Sequence, residues 1–206
     1  MSNTGLLIVF SGPSGAGKDT ILKKLLESSQ NIKLSISATT RSPRTGEQDG
    51  IDYHFLTKEK FLQLIEKDEM LEHAEYCGNF YGTPSAPIKN WMNGGNDVIL
   101  EIEVQGGAQI KKKRPDCVSI FILPPSIQEL EQRLRARNTE NEETIQKRMA
   151  VAREEIKLAK NYDYVVINDT VENAVNKIHT IISAEKLRYI HNDSIIERVL
   201  NHVETI

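Results

Sequence analysis

Two rhythms of apolar residues alternate along this chain. Short unbroken runs, Leu6–Phe10, Val98–Val104, Val118–Leu123 and Tyr164–Ile167, read as strands buried on both faces. Between them apolar residues recur at helical spacing: Ile21, Leu22, Leu25 and Leu26; then Ile145, Met149, Ala152, Ile156 and Ala159; then Val171, Val175, Ile178 and Ile182. Leu34 and Ile36 alternate with polar neighbours and predict one more strand. Strands alternating with helices imply an α/β fold: a parallel sheet of about five strands, flanked by helices and joined by right-handed crossovers. Ligands of such sheets bind at the carboxyl ends of the strands.

Local signals refine this frame. Thr57 precedes Phe61, Leu62, Leu64 and Ile65 and predicts a capped short helix facing inward with those four residues. Ser126-x-x-Glu129 and Thr139-x-x-Glu142 read as capping boxes that open two further helices. Ser194-x-x-Glu197 starts a last helix with Ile196, Val199, Leu200 and Val203 on one side, expected to dock on the chain's own core. Thr39–Asp52 is rich in Thr, Arg, Pro, Gly and acids and reads as a polar loop. Gly78-Asn79-Phe80-Tyr81-Gly82-Thr83 reads as short strands and turns. Residues 37–88 therefore look like a lobe inserted into the α/β core.

One stretch carries explicit chemistry. Gly12-Pro13-Ser14-Gly15-Ala16-Gly17-Lys18-Asp19 follows the first apolar run and leads into the helical pattern that begins at Thr20. Strand, glycine-rich turn and helix form the context of a phosphate-binding loop. The glycines let backbone N–H groups converge on one hollow, the helix N-terminus adds partial positive charge, and Lys18 supplies a full one. The last position, normally a magnesium-binding Ser or Thr, is Asp19, with Thr20 behind it.

Composition narrows the field. The 206 residues suit one domain with small lobes, and 26 basic against 29 acidic residues give a net charge of −3. That balance argues against a nucleic-acid surface, and the basic run Lys111–Arg114 reads as a solvated helix end. Cys77 and Cys117 lack ligand spacing and fit a reducing compartment. No basic leader precedes the first apolar run, and no run is long enough to span a membrane, so the expectation is a soluble cytoplasmic protein.

Five arginines stand where phosphoryl transfer would use them: Arg41 and Arg44 in the lobe, Arg133 and Arg137 on one helix, Arg148 on the next. Planar guanidinium forks neutralise charge on a moving phosphoryl group.

The motifs together resemble those of guanylate kinases. Ser37-Ala-Thr-Thr-Arg41-Ser-Pro-Arg44-x-Gly-Glu47, with Asp49-Gly50-x-Asp52-Tyr53, is similar to that family's GMP-binding signature. Gly78-Asn79-Phe80-Tyr81-Gly82, Glu101-Ile102-Glu103-Val104-Gln105-Gly106 and the lid-like Arg133-x-x-x-Arg137-Asn138-Thr139-Glu140 follow in family order, and the match runs from about residue 6 to 190. The resemblance implies a core of residues 1–36, 89–126 and 149–206, a GMP lobe at 37–88 and a helical lid at 127–148. It implies the reaction ATP + GMP → ADP + GDP with magnesium. ATP would be held by Gly12, Pro13, Ser14, Gly15, Ala16, Gly17, Lys18, Asp19, Thr20, Arg133 and Asn168. GMP would meet Ser37, Arg41, Arg44, Glu47, Tyr53, Glu72, Tyr81 and Thr83, with Glu101 and Glu103 close by. Lys18, Arg44, Arg137 and Arg148 would stabilise the transferring group, and Asp19 and Glu101 would face the metal.

Two other readings stand beside this one. A catalytically inactive guanylate-kinase-like module would bind a protein partner, but Gly17, Lys18, Arg44, Arg137 and Arg148 argue against it. A kinase of another monophosphate or of a sugar phosphate is the other, and Glu72 with the Ser37 and Thr83 hydroxyls argues for guanine. Oligomeric state is left open.

Overall fold

Alternation inside the first apolar run sets the layers of the molecule. The computed structural model describes residues 4–76, 78–136, 141–192 and 199–201. In chain order the elements are β1 (Leu7–Ser11), α1 (Lys18–Ser28), β2 (Ile32–Leu34), β3 (Ala38–Thr39), β4 (His54–Phe55), α2 (Lys58–Glu66), β5 (Met70–Tyr76), β6 (Asn79–Pro84) and α3 (Ser85–Asn93). They continue with β7 (Asp97–Glu101), α4 (Val104–Lys113), β8 (Val118–Leu123), α5 (Ile127–Ala136), α6 (Glu142–Lys157), β9 (Tyr164–Ile167) and α7 (Val171–Lys186).

A five-stranded sheet runs in the order β2-β7-β1-β8-β9, every pairing parallel. Ile8 and Phe10 of β1 face the side covered by α1 and α7, where Ile21, Leu25, Ile178 and Ile182 pack. Leu7 and Val9 face the other side, against Ile88, Met92 and Ile110 of α3 and α4. The register aligns Phe10 with Glu101, Ser11 with Phe121 and Leu123 with Ile167, so the carboxyl ends of four strands share one edge.

A second sheet of four strands, β4-β3-β6-β5, covers a small core of Ala38, Phe61 and Met70. It meets the large sheet at α4, where the Gln109 side chain bonds both backbone groups of His73, donating to its carbonyl at 3.2 Å and accepting from its N–H at 3.4 Å. α5 and α6 pack on each other through Leu130, Leu134, Ile145, Met149 and Ala152.

Several expectations are corrected. The run Val98–Val104 ends as strand at Glu101, and Glu103 occupies the cap position of α4 instead. β2 stops at Leu34, leaving Ile36 outside it. α1 starts at Lys18, two residues earlier than expected. Leu62 is exposed: four neighbouring apolar residues cannot all face inward from a helix only nine residues long. The Thr57 cap is present, its hydroxyl accepting from Lys60 N–H. Ser126 accepts from Glu129 N–H, but the Glu129 carboxylate turns to Arg133, so only half of that box forms. Thr139 lies outside the described residues, and Asn141 caps α6 by accepting from Thr144 N–H. Ala159 belongs to a 3-10 turn after α6. α3 was not anticipated, because Pro84 and Pro87 disguise its start; proline is tolerated in a first helical turn.

The basic run does close α4, and three of its four charges are paired: Lys111 with Asp163, Lys113 with Asp68, Arg114 with Asp116. Cys117 is buried and free, whereas Cys77 lies outside the described residues. Of the last predicted helix, 193–198 and 202–206 lie outside them; Val199 and Leu200 are exposed, which does not match docking on the core.

Asp97 ties the first strand to the last helix. It is 2% exposed, accepts from Leu6 N–H at 3.0 Å and pairs with Lys186 at 2.6 Å. Asp97→Ala leaves that buried N–H unbonded, and a loss of about 2–3 kcal/mol is expected. Urea unfolding measures it, as a lower midpoint at unchanged slope.

Candidate active site

β1 runs into Gly12, and the chain then curls through Gly17 before α1 begins. Two glycines are obligatory here. Gly17 is left-handed, with φ of 86°, and a Cβ there would stand 2.4 Å from the Asn168 amide nitrogen. A Cβ on Gly12 would meet the Ile122 carbonyl oxygen at 2.4 Å. The loop is thus pressed against β8 and the end of β9.

Three of its carbonyls are hydrogen-bonded. The buried Asn168 amide donates to the Ala16 carbonyl at 2.8 Å. Arg133 reaches the same carbonyl at 3.5 Å and the Asn168 carbonyl at 3.4 Å, while Glu129 holds its Nε at 3.0 Å. Lys18 Nζ donates to the Gly12 and Pro13 carbonyls at 2.8 and 3.5 Å. No side chain caps the N-terminus of α1, which leaves its first N–H groups for an anion.

A cavity of about 780 Å³ opens from this loop and is lined by Gly12, Ser14, Lys18, Asp19, Arg148 and Glu155, among others. Arg148 comes from α6, and its Nη1 lies 3.4 Å from Ser14 Oγ. A second cavity of about 290 Å³ lies under the small sheet, with Ser37, Glu72, Tyr81 and Gly106 in its lining. The two share a wall of Tyr53, Tyr76, Glu101, Ile102 and Glu103.

Electrostatics mark both hollows. Glu72 is buried and accepts from the Thr83 hydroxyl at 2.6 Å. Burial pushes its carboxyl above the ordinary range; the Thr83 bond opposes this and Glu103 adds to it. Glu101 is pushed up to about 7, chiefly by burial, with Lys18 opposing and the Asp19 carboxyl, hydrogen-bonded to it, adding. Two hard oxygen donors side by side beside a phosphate loop suit magnesium. Among the described residues no group of three or more His, Cys, Asp or Glu could hold a metal, so the ion's other ligands would be phosphate and water.

Arg41 makes a two-pronged pair with Glu47, 2.9 Å on each arm, and lies over the Tyr53 ring at 5.5 Å. Glu47 also accepts from Arg44 N–H at 2.7 Å, and the Arg41 bond holds its carboxyl below the ordinary range. Arg44 is exposed and lines neither cavity. Tyr53 and Tyr81 meet edge to face at 6.3 Å.

Arg41 and Glu47, like Arg44, line neither hollow, and most of the other expected residues fall into three groups. Ser37, Tyr53, Glu72, Tyr81, Glu101 and Glu103 line the smaller hollow; Gly12, Ser14, Lys18, Asp19 and Arg148 line the larger; Arg133 and Asn168 brace the loop from behind. Thr83 reaches the smaller one through Glu72, and Thr20 is exposed on α1. Arg137 lies outside the described residues. Sequence reading missed Tyr76 and Glu155. Glu155 had a signal: it follows Arg148 by seven residues, two turns along one helix face.

Comparison with known proteins decides what such a cleft belongs to. A family model described as guanylate kinase matches residues 4–185. The chain belongs to the guanylate kinase family. The guanylate kinase of Clostridioides difficile is 56% identical over 88% of this chain and 89% of its own length. That of Desulfitobacterium hafniense is 53% identical over 90% and 93%. A crystal structure of guanylate kinase from Anaplasma phagocytophilum superposes with a TM-score of 0.71 at 38% identity, covering 90% of this chain and 88% of that one. A guanylate kinase is an ATP:GMP phosphotransferase, and it requires two nucleotides to meet phosphate to phosphate. The two hollows share one wall.

Gly17→Ala tests the loop. The left-handed backbone and the Asn168 contact together predict a loss of ATP affinity of roughly tenfold or more, read by titration calorimetry.

Proposed function

We propose that this guanylate kinase moves the γ-phosphoryl group of ATP onto GMP across the wall shared by the two cavities, with GMP in the smaller and the ATP phosphates in the larger. The observation that carries the assignment of sides is the buried Glu72–Thr83 pair at the back of the smaller hollow. Guanine presents two adjacent donors, N1–H and the 2-amino group, and a carboxylate accepts both. Adenine has no N1 hydrogen and leaves that carboxylate unbonded.

In the reaction an oxygen of the GMP phosphate bonds to the γ-phosphorus of ATP while the bond from that phosphorus to the β–γ bridging oxygen breaks, leaving ADP. The acceptor is already an anion, so no strong base is needed. Lys18 exchanges its loop carbonyls for phosphate oxygens, and Arg148 comes in from α6. Tyr53 and Tyr81 donate to the GMP phosphate without adding charge. Arg41, Arg44 and Arg137 bring further positive charge, with Glu47 keeping Arg41 in place. Arg133 and Asn168 hold the loop and border the adenine side. Asp19 and Glu101 would hold magnesium, which when bound would supply positive charge against the polyphosphate.

The corresponding partition is a core of residues 1–36, 89–126 and 149–206, a GMP lobe at 37–88 whose boundary α3 straddles, and a lid at 127–148. Closure of lobe and lid on the second nucleotide excludes water and protects ATP from hydrolysis. No helix among the described residues is long and apolar enough to cross a membrane, which fits the proposed cytoplasmic location.

A coupled assay with ATP and GMP, AMP, CMP or UMP as acceptor tests the assignment; GDP formation with little turnover of the others is expected, and equal use of AMP overturns it. Glu72→Gln puts an amide donor against guanine N1–H. It should raise the KM for GMP by about a hundredfold and leave that for ATP within about twofold. Asp19→Ser removes one carboxylate from the metal side. The magnesium concentration giving half-maximal rate should rise severalfold, about threefold or more, while metal-free ATP binds more tightly. Unchanged values of both would mean that Asp19 does not serve the metal.

A further inference from the structure

Glu155 is an acid in the lining of the larger cavity to which the reaction described above gives no part. It is half-buried on α6 and shares the cavity lining with Lys18 and Arg148. An unscreened carboxylate beside a polyphosphate repels it, so a phosphate cleft gains nothing from Glu155 by direct contact with the nucleotide. Its neighbours suggest what it does instead.

Arg148 and Glu155 stand two turns apart on one face of α6, and that face looks onto the phosphate loop. Arg148 Nη1 reaches Ser14 Oγ at 3.4 Å. Burial raises the Glu155 carboxyl above the ordinary range, the charge of Lys18 on the loop's far end opposes that rise, and Glu103 adds to it. The interaction with Lys18 acts across the cavity, since the hydrogen bonds of Lys18 go to the Gly12 and Pro13 carbonyls. Chemistry in this cleft requires Lys18 and Arg148 to approach the same phosphoryl group. Two cations brought together in a partly dry hollow repel one another. A carboxylate carried on the same rigid face as Arg148 offsets that repulsion, and it travels with the arginine whenever α6 moves.

We infer that Glu155 is a positioning residue for phosphoryl transfer: from the Arg148 face of α6 it stands across the cavity from Lys18 and makes the docking of that face onto the phosphate loop attractive rather than repulsive. The inference rests on the reading of this cleft as the phosphoryl-transfer site. It assigns Glu155 no contact with either nucleotide. Glu155 acts on how often Arg148 is in place, and so on turnover rather than on ground-state binding of GMP.

The test is Glu155→Gln, which keeps the shape and removes the charge, measured alone and in an Arg148→Ala background. Alone, kcat should fall about tenfold with the KM for GMP within about twofold, and the thermal midpoint should hold within about two degrees. In the Arg148→Ala background the same change should cost less than about twofold, because the group it positions is gone. Glu155→Asp should recover part of the lost rate. Full activity of Glu155→Gln, an equal loss in both backgrounds, or a loss matched by a fall in thermal midpoint each overturns the inference. Failure of the underlying reading looks different: wild-type protein would then make no GDP at all.

Discussion

Everything in this molecule depends on where one short stretch of backbone points its carbonyls. A loop that offers N–H groups to an anion must turn its C=O groups elsewhere and satisfy them there, because an unbonded buried carbonyl is costly and one facing phosphate is worse. Here the Ala16 carbonyl takes the Asn168 amide at 2.8 Å and an Arg133 arm at 3.5 Å, and the Gly12 carbonyl takes Lys18 at 2.8 Å. The first two come from segments more than a hundred residues downstream. The loop is therefore set by the finished sheet and by α5, and it exists as an anion site only in the folded chain.

The same dependence explains why the two hollows meet. Glu101 closes β7 beside the end of β1, and after it the chain turns through Ile102 and Glu103 into α4. That turn is the floor of both cavities. α4 also presses Gly106 toward Glu72, whose Oε2 would lie 3.0 Å from a Cβ at that position. One helix start thus fixes the distance between the phosphate-loop motif and the Glu72 carboxylate. Such distances decide phosphoryl transfer, in which the protein chiefly positions charge and excludes water.

Much of this was legible in the sequence, for identifiable reasons. Strands buried on both faces, such as Leu7–Ser11 and Val118–Leu123, write unbroken apolar runs, and the phosphate loop writes its glycines. Only the basic end of α4 was legible, because the face it buries carries Gly106 and Gly107, chosen for close approach to Glu72 and Tyr162, so only Val104 and Ile110 mark its period. β3 and β4 are two residues each, too short for any alternation to show. The two-pronged Arg41–Glu47 pair was equally out of reach, since a loop's internal bonds depend on its path and not on spacing. Motifs marked residues that line the two hollows, among them Lys18, Glu72 and Arg148. They did not disclose that Arg133 and Asn168 brace the loop from behind.

The acids of the cleft are the last piece of the physical picture. Asp19, Glu101, Glu103 and Glu155 all line the larger cavity with Lys18, Lys147 and Arg148. A site built only for attraction would have no such carboxylates. An excess of unopposed cations would, however, hold substrate and product alike, and uniform binding does not accelerate a chemical step. In the proposed reaction, near-balance among these side chains would leave the net attraction to be completed by what arrives with ATP and by the arginines of lobe and lid. Stabilisation is then greatest when both nucleotides are present and the moving phosphoryl group carries its charge between them, which is the condition for transfer rather than hydrolysis.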